Sequence, residues 1–76
     1  MIENSIKEIL FSTLGISESN ICGEISQDNI PEWDSLKQIN LVIAIEEYFN
    51  VRIEPDEIEE MDNLNSIIEV LQRKLK

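Results

Sequence analysis

At 76 residues the chain has room for one small domain, 1–76, and not for two. A hydrophobic share of 42 % argues against a disordered tail, and the apolar runs are too short and too often broken by charge to span a membrane. Sixteen acidic residues against six basic ones give a net charge of −10, which disfavours nucleic acid as a partner and favours proteins with basic patches. Taken in chain order, residues 2 to 14 read as a first amphipathic helix. Ile2, Ile6, Ile9, Leu10 and Leu14 recur at helical spacing, Glu3 and Glu8 point away, and Gly15 follows where a left-handed cap suits glycine. The start, Met1-Ile2-Glu3-Asn4, lacks the basic segment and apolar centre of a secretory signal, so a cytoplasmic protein is expected.

Residues 16 to 34 form a long connection rich in Ser17, Ser19, Asn20, Gly23, Ser26 and Asn29. Ile16, Ile21, Ile25, Ile30 and Trp33 recur among them, the pattern of a loop laid over a core and pinned to it, with a short helical turn near Glu18 to Cys22. Pro31 pushes Ile30 toward an extended shape, so the chain reaches Asp34 as a loop. Asp34 and Ser35 are both residue types favoured at a helix start, where side-chain oxygens accept orphan backbone N–H groups.

The helix that follows, ending near Asn50, carries apolar residues on two sides. With Leu36 at zero on a wheel of about 100° per residue, Leu41, Val42, Ile45, Tyr48 and Phe49 gather as a core face. Leu36, Ile39 and Ile43 gather on nearly the opposite side, flanked by Asn40, Glu46 and Glu47. A small surface helix needs one apolar face. The second stripe is either a contact surface beside the Ser35 hydroxyl, or a sign of a helix buried all round or of scattered exposed apolar residues.

After Asn50, Val51 and Ile53 read as a short extended link buried in the core. Pro55, or Glu54 before it, starts a brief third helix through about Met61, with Asp56 and Glu57 at its positive end. Asp62 or Asn63 then caps a fourth helix whose stripe is Leu64, Ile67, Ile68, Leu71 and Leu75, with Arg73, Lys74 and Lys76 at its negative end. Three longer helices and one short one, with a long first loop, predict an all-α fold, a small four-helix bundle.

Independent catalysis has little support. The Trp33-Asp34-Ser35-Leu36 run superficially resembles the Gly-Asp-Ser-Leu motif of some hydrolases, but a nucleophilic serine needs a base, usually histidine, and the chain has none. Cys22 is the single cysteine and reads as a buried or incidental thiol. Asp56, Glu57, Glu59, Glu60 and Asp62 form an acidic cluster without the spacing of a calcium loop, so no dedicated metal site is expected.

The Asp34-Ser35-Leu36 triplet resembles the Asp-Ser-Leu attachment motif of the acyl carrier proteins. The likeness continues through Leu41-Val42-Ile43-Ala44-Ile45-Glu46-Glu47-Tyr48-Phe49 and Val51-Arg52-Ile53-Glu54-Pro55-Asp56-Glu57, and is weakest before Ile30. The resemblance implies a discrete, monomeric carrier rather than an enzyme. Its Ser35 would receive 4′-phosphopantetheine from coenzyme A through a phosphopantetheinyl transferase, and the arm's thiol would carry acyl groups as thioesters. It also implies partner contacts: Leu36, Ile39 and Ile43 as apolar ones, Glu46 and Glu47 as an acidic recognition pair, and Asp34 as a cap, a transferase contact or both. The partners would be acyl-loading and acyl-transferring enzymes with basic patches. The chain departs from the family pattern at Trp33, where glycine is common, and at Lys37 and Asn40, which replace acids of the fatty-acid carriers. Trp33 would pack under the loop or shape partner choice. The less negative helix front points to a specialised pathway, such as polyketide, lipid-modified sugar or secondary-metabolite assembly. The alternative is an unmodified acidic adaptor that binds a protein through Leu36, Ile39 and Ile43.

Overall fold

The computed structural model describes residues 2–21 and 23–75. The expectation of an incidental thiol at Cys22 lies outside them, as does Lys76 beyond the fourth helix. Four α-helices follow one another: α1 (Ile2–Leu14), α2 (Ser35–Phe49), α3 (Pro55–Glu60) and α4 (Leu64–Lys74). Among the described residues of the first loop there is one 3-10 turn, Glu18–Asn20. Among the described residues there is no strand, only an isolated antiparallel bridge between Ser26 and Asn63. No described helix is long and apolar enough to cross a membrane.

Why these segments are helical follows from their ends and their stripes. Ile6, Leu10 and Leu14 of α1 repeat every fourth residue and are buried. Gly15 then takes φ +70, and the amides of Gly15 and Ile16 both turn back to the Phe11 carbonyl. Asn50 ends α2 in the left-handed region, which asparagine tolerates. Asn63 caps α4, its side chain accepting from the Ser66 amide at 2.9 Å. Helix α1 packs against α2 and α4, and their buried side chains meet Ile30, Trp33, Ile53 and Met61 in one core.

The long loop is pinned as its isoleucines suggest. Ile30 and Trp33 are buried, while Ile16, Ile21 and Ile25 pack against the core from its edge. Two backbone bonds stitch the loop to the start of α4, Gln27 N to Asp62 O at 2.9 Å and Leu64 N to Ile25 O at 3.0 Å.

Three expectations need correcting. Tyr48, assigned to the core face of α2, is 61 % exposed. It lies at the rim of the apolar arc, about 60° from its centre, where a long side chain swings outward. Leu75, assigned to the α4 stripe, is also exposed, because the helix stops at Lys74 and Leu75 falls outside its geometry. Val70, absent from the expected stripe, is buried in its place.

Helix α3 buries none of its side chains fully. Ile58 packs against the core from its edge, and polar ties to α4 add to this. Glu57 Oε1 sits 2.7 Å from Lys74 Nζ, and Glu60 Oε1 sits 3.5 Å from Arg73. The Lys74 hydrogen bond, then that from the Glu54 amide, hold the Glu57 carboxyl below its ordinary value. A lowered pKa means that the ionised form is favoured by folding, so this contribution is present above the ordinary carboxylate range and is lost as pH falls through the lowered value. Glu57→Gln keeps an acceptor and removes the charge. Its melting temperature should lie below that of the parent chain at neutral pH and converge with it on acidification. A gap that stays constant down to about pH 3 would show that the charge is not what matters.

Candidate functional site

Sequence left the capping role open between Asp34 and Ser35. The structure gives it to Asp34, whose backbone is extended and whose Oδ1 accepts the Lys37 amide at 2.9 Å. The Asp34 carbonyl takes the first intrahelical bond, from Gln38 N at 2.9 Å. Ser35 is therefore the first helical residue, exposed, with its hydroxyl not needed for the cap.

What precedes Ser35 is a rigid turn. The Trp33 amide donates to Ile30 O at 3.0 Å and the Asp34 amide to Glu32 O at 3.1 Å. The Trp33 ring packs under the loop, 3 % exposed, which settles its position on the core side of the turn. Pro31 and Glu32 lie outside, in solvent.

Beyond Ser35 the second apolar stripe is a surface. Leu36 is 66 % exposed, Ile39 55 % and Ile43 49 %, while Leu41, Val42 and Ile45 on the other side are buried. Leu36, Ile39 and Ile43 succeed one another at three and four residues, so they form one strip leading away from the serine. The reading of a helix buried all round is thereby excluded.

The two expected recognition acids differ. Glu47 is exposed. Glu46 is half-buried, and its Oε2 accepts the Ile53 amide at 2.8 Å, so one of its oxygens fastens the link between α2 and α3. Nothing in the sequence marks that second duty, because Ile53 lies across a turn of the chain.

One residue at this end of α2 escaped sequence reading altogether. Gln38 stands about 200° around the wheel from Leu36, inside the core arc, and is buried. Its only signal was its place: a polar residue among apolar neighbours on the buried side.

The residues fit a phosphate ester at Ser35. The hydroxyl is accessible, and the Ser35 and Leu36 amides, as the first two of the helix, have no intrahelical acceptor. The positive end of the α2 dipole favours an anion there. The carboxylate next to it in the chain, Asp34, already accepts the Lys37 amide.

Comparison with known proteins gives the same direction. A family described as "Phosphopantetheine attachment site" matches residues 4–71. The chain is 33 % identical over 73 residues to an acyl carrier protein of Buchnera aphidicola subsp. Acyrthosiphon pisum (strain Tuc7), covering 96 % of this chain and 91 % of that one. It is 31 % identical over 74 residues to an acyl carrier protein of Guillardia theta, covering 97 % of this chain and 91 % of its relative. In fold it is similar to a holo acyl carrier protein from Geobacter metallireducens solved by NMR, with a TM-score of 0.82 at 20 % identity over 96 % of this chain and 84 % of that one. These relatives are named as carriers, not as catalysts.

Proposed function

The chain belongs to the acyl carrier protein family, a family of carriers with a phosphopantetheine prosthetic group, and on that premise we propose that Ser35 is where the group is attached. The observation that carries this reading is the division of labour at the head of α2: Asp34 caps the helix, and the Ser35 hydroxyl stays exposed at its positive end. A transferase joins the phosphopantetheine of coenzyme A to that oxygen as a phosphodiester: the Ser35 oxygen bonds to the phosphorus next to the pantetheine, the pyrophosphate bridge breaks, adenosine 3′,5′-bisphosphate leaves, and the hydroxyl proton passes to the transferase. The arm, once attached, supplies a thiol that carries acyl groups as thioesters. The protein's own residues present the hydroxyl, favour the phosphate charge and offer partners a surface.

That surface is the strip Leu36, Ile39 and Ile43 with Glu47, Asp34 and the free side of Glu46. Basic patches on acyl-loading and acyl-transferring enzymes steer toward the charges, and the apolar strip fixes register. Lys37 and Asn40 make the front of α2 less acidic, which supports a partner set in a specialised acyl pathway over the general fatty-acid enzymes. The carrier works in the cytosol as a monomer.

Intact-mass measurement after incubation with a phosphopantetheinyl transferase and coenzyme A tests the reading. The expected result is a single addition of one phosphopantetheine, placed on Ser35 by fragmentation. No addition with several transferases of different specificity would favour an unmodified adaptor that binds a protein through the same strip.

A further inference from the structure

Directly behind the attachment turn a buried amide joins three parts of the fold. Gln38 Oε1 accepts the Trp33 indole N–H at 2.7 Å. Gln38 Nε2 donates to the Ile58 carbonyl at 3.1 Å and to the Met61 carbonyl at 3.0 Å, at the C-terminal end of α3. The orientation of the amide is fixed by its partners, since a flip would turn its oxygen toward two carbonyls and its NH₂ toward an N–H donor. Both of its donors and one of its acceptor positions are used. The Ile58 carbonyl already accepts the Met61 amide at 3.1 Å, while the Met61 carbonyl lies past the last turn, so Gln38 closes the end of α3 from another helix.

We propose that Gln38 and Trp33 are positioning residues for the modification of Ser35, holding the turn that presents its hydroxyl against the end of α3. The inference rests on the Ser35 reading above. Ser35 lies two residues after Trp33 and three before Gln38, so both flanks of the hydroxyl are fixed by one bond between side chains. Trp33 is anchored at three points: its amide to Ile30 O, its carbonyl to Gln27 Nε2 at 3.3 Å, and its indole to Gln38. The far end of the tie matters as much. Helix α3 has no fully buried side chain, Ile58 packing against the core only in part, and the Gln38 fork is a direct link between its end and α2. Without the fork, the Met61 carbonyl and the indole N–H lose a partner where water is scarce, the Ile58 carbonyl keeps only the Met61 amide, and the turn and α3 loosen together. A hydroxyl spread over more orientations reacts more slowly inside a transferase even when the carrier docks normally.

Gln38→Met removes the polar tie at similar volume, and Trp33→Phe keeps a buried ring while removing the indole donor. Both are measured as the unmodified chain, at a temperature where circular dichroism shows the helices intact. Amide exchange at Lys37 and Gln38, whose N–H groups bond Asp34, should speed up together with exchange at Met61, whose amide bonds Ile58 O. Transfer kinetics with coenzyme A should show kcat down by about tenfold or more with KM little changed. Trp33→Phe, the milder change, keeps the comparison available should Gln38→Met fold poorly. Lower melting temperatures with unchanged exchange at Lys37 and Gln38 and unchanged kcat would overturn the proposal and leave Gln38 a purely structural residue. Failure of the Ser35 reading shows separately, as no mass gain on the unaltered chain, while the exchange coupling is read without any modification.

Discussion

Ser35→Ala is expected to abolish phosphopantetheine incorporation completely and to leave the fold alone. Ser35 is exposed, and the cap that starts α2 belongs to Asp34. Exposed substitutions of this kind stay within about 0.5 kcal/mol. For a domain of this size that is a shift of about 2–4 °C in melting temperature. Loss of all mass gain with an unchanged melt is the signature of a modified residue, not of a folding defect. Asp34→Ala should behave differently: removing the cap costs about 1 kcal/mol yet leaves the Ser35 hydroxyl in place, so incorporation slows without stopping. Asp34→Asn keeps a capping oxygen and removes the charge. It should melt like the parent chain and be modified more slowly, because a transferase with a basic docking patch loses one of its attractions. A mass gain that persists in Ser35→Ala would assign the acceptor to another hydroxyl and withdraw the role given to this turn.

Much of this turn was legible in the sequence because its determinants are local. Pro31, Asp34 and Ser35 act through φ restriction and capping over a few residues, and Gly15, Asn50 and Asn63 mark helix ends in the same way. The exposed strip was legible because Leu36, Ile39 and Ile43 stand opposite a second apolar arc large enough to be the core. What failed were matters of depth and of reach. A wheel gives a direction but no depth, so it puts Tyr48, at the rim of the arc, on the core face, whereas the folded chain exposes it. Periodicity says nothing of where a helix ends, so it carries the stripe on to Leu75, one residue past the last of α4. Gln38 and Glu46 were missed as structural residues for a different reason. Their partners, the Ile58 and Met61 carbonyls and the Ile53 amide, lie on other elements, and only the packed chain brings them within hydrogen-bond distance.

Ile45→Ala and Ile43→Ala, two residues apart on α2, should have opposite effects. Ile45 is fully buried between α2 and the rest of the core, so truncation leaves a cavity and costs about 2–5 kcal/mol. A chain of this length has only about 4–11 kcal/mol of total stability. The variant should therefore melt at least about 10 °C lower, and fold marginally if the parent lies at the low end of that range. Ile43 is half exposed and stands on the strip beyond Ser35. Its truncation removes little packed surface, so the melt should move by no more than a few degrees, while KM for the carrier in the transferase reaction rises and kcat stays near that of the parent. The division follows from α2 having two apolar faces with different neighbours, the core on one side and water on the other. A melt for Ile43→Ala as low as that of Ile45→Ala, with normal transfer kinetics, would mean that the strip is held down by the fold itself. Partners would then have to recognise the carrier by its charges alone.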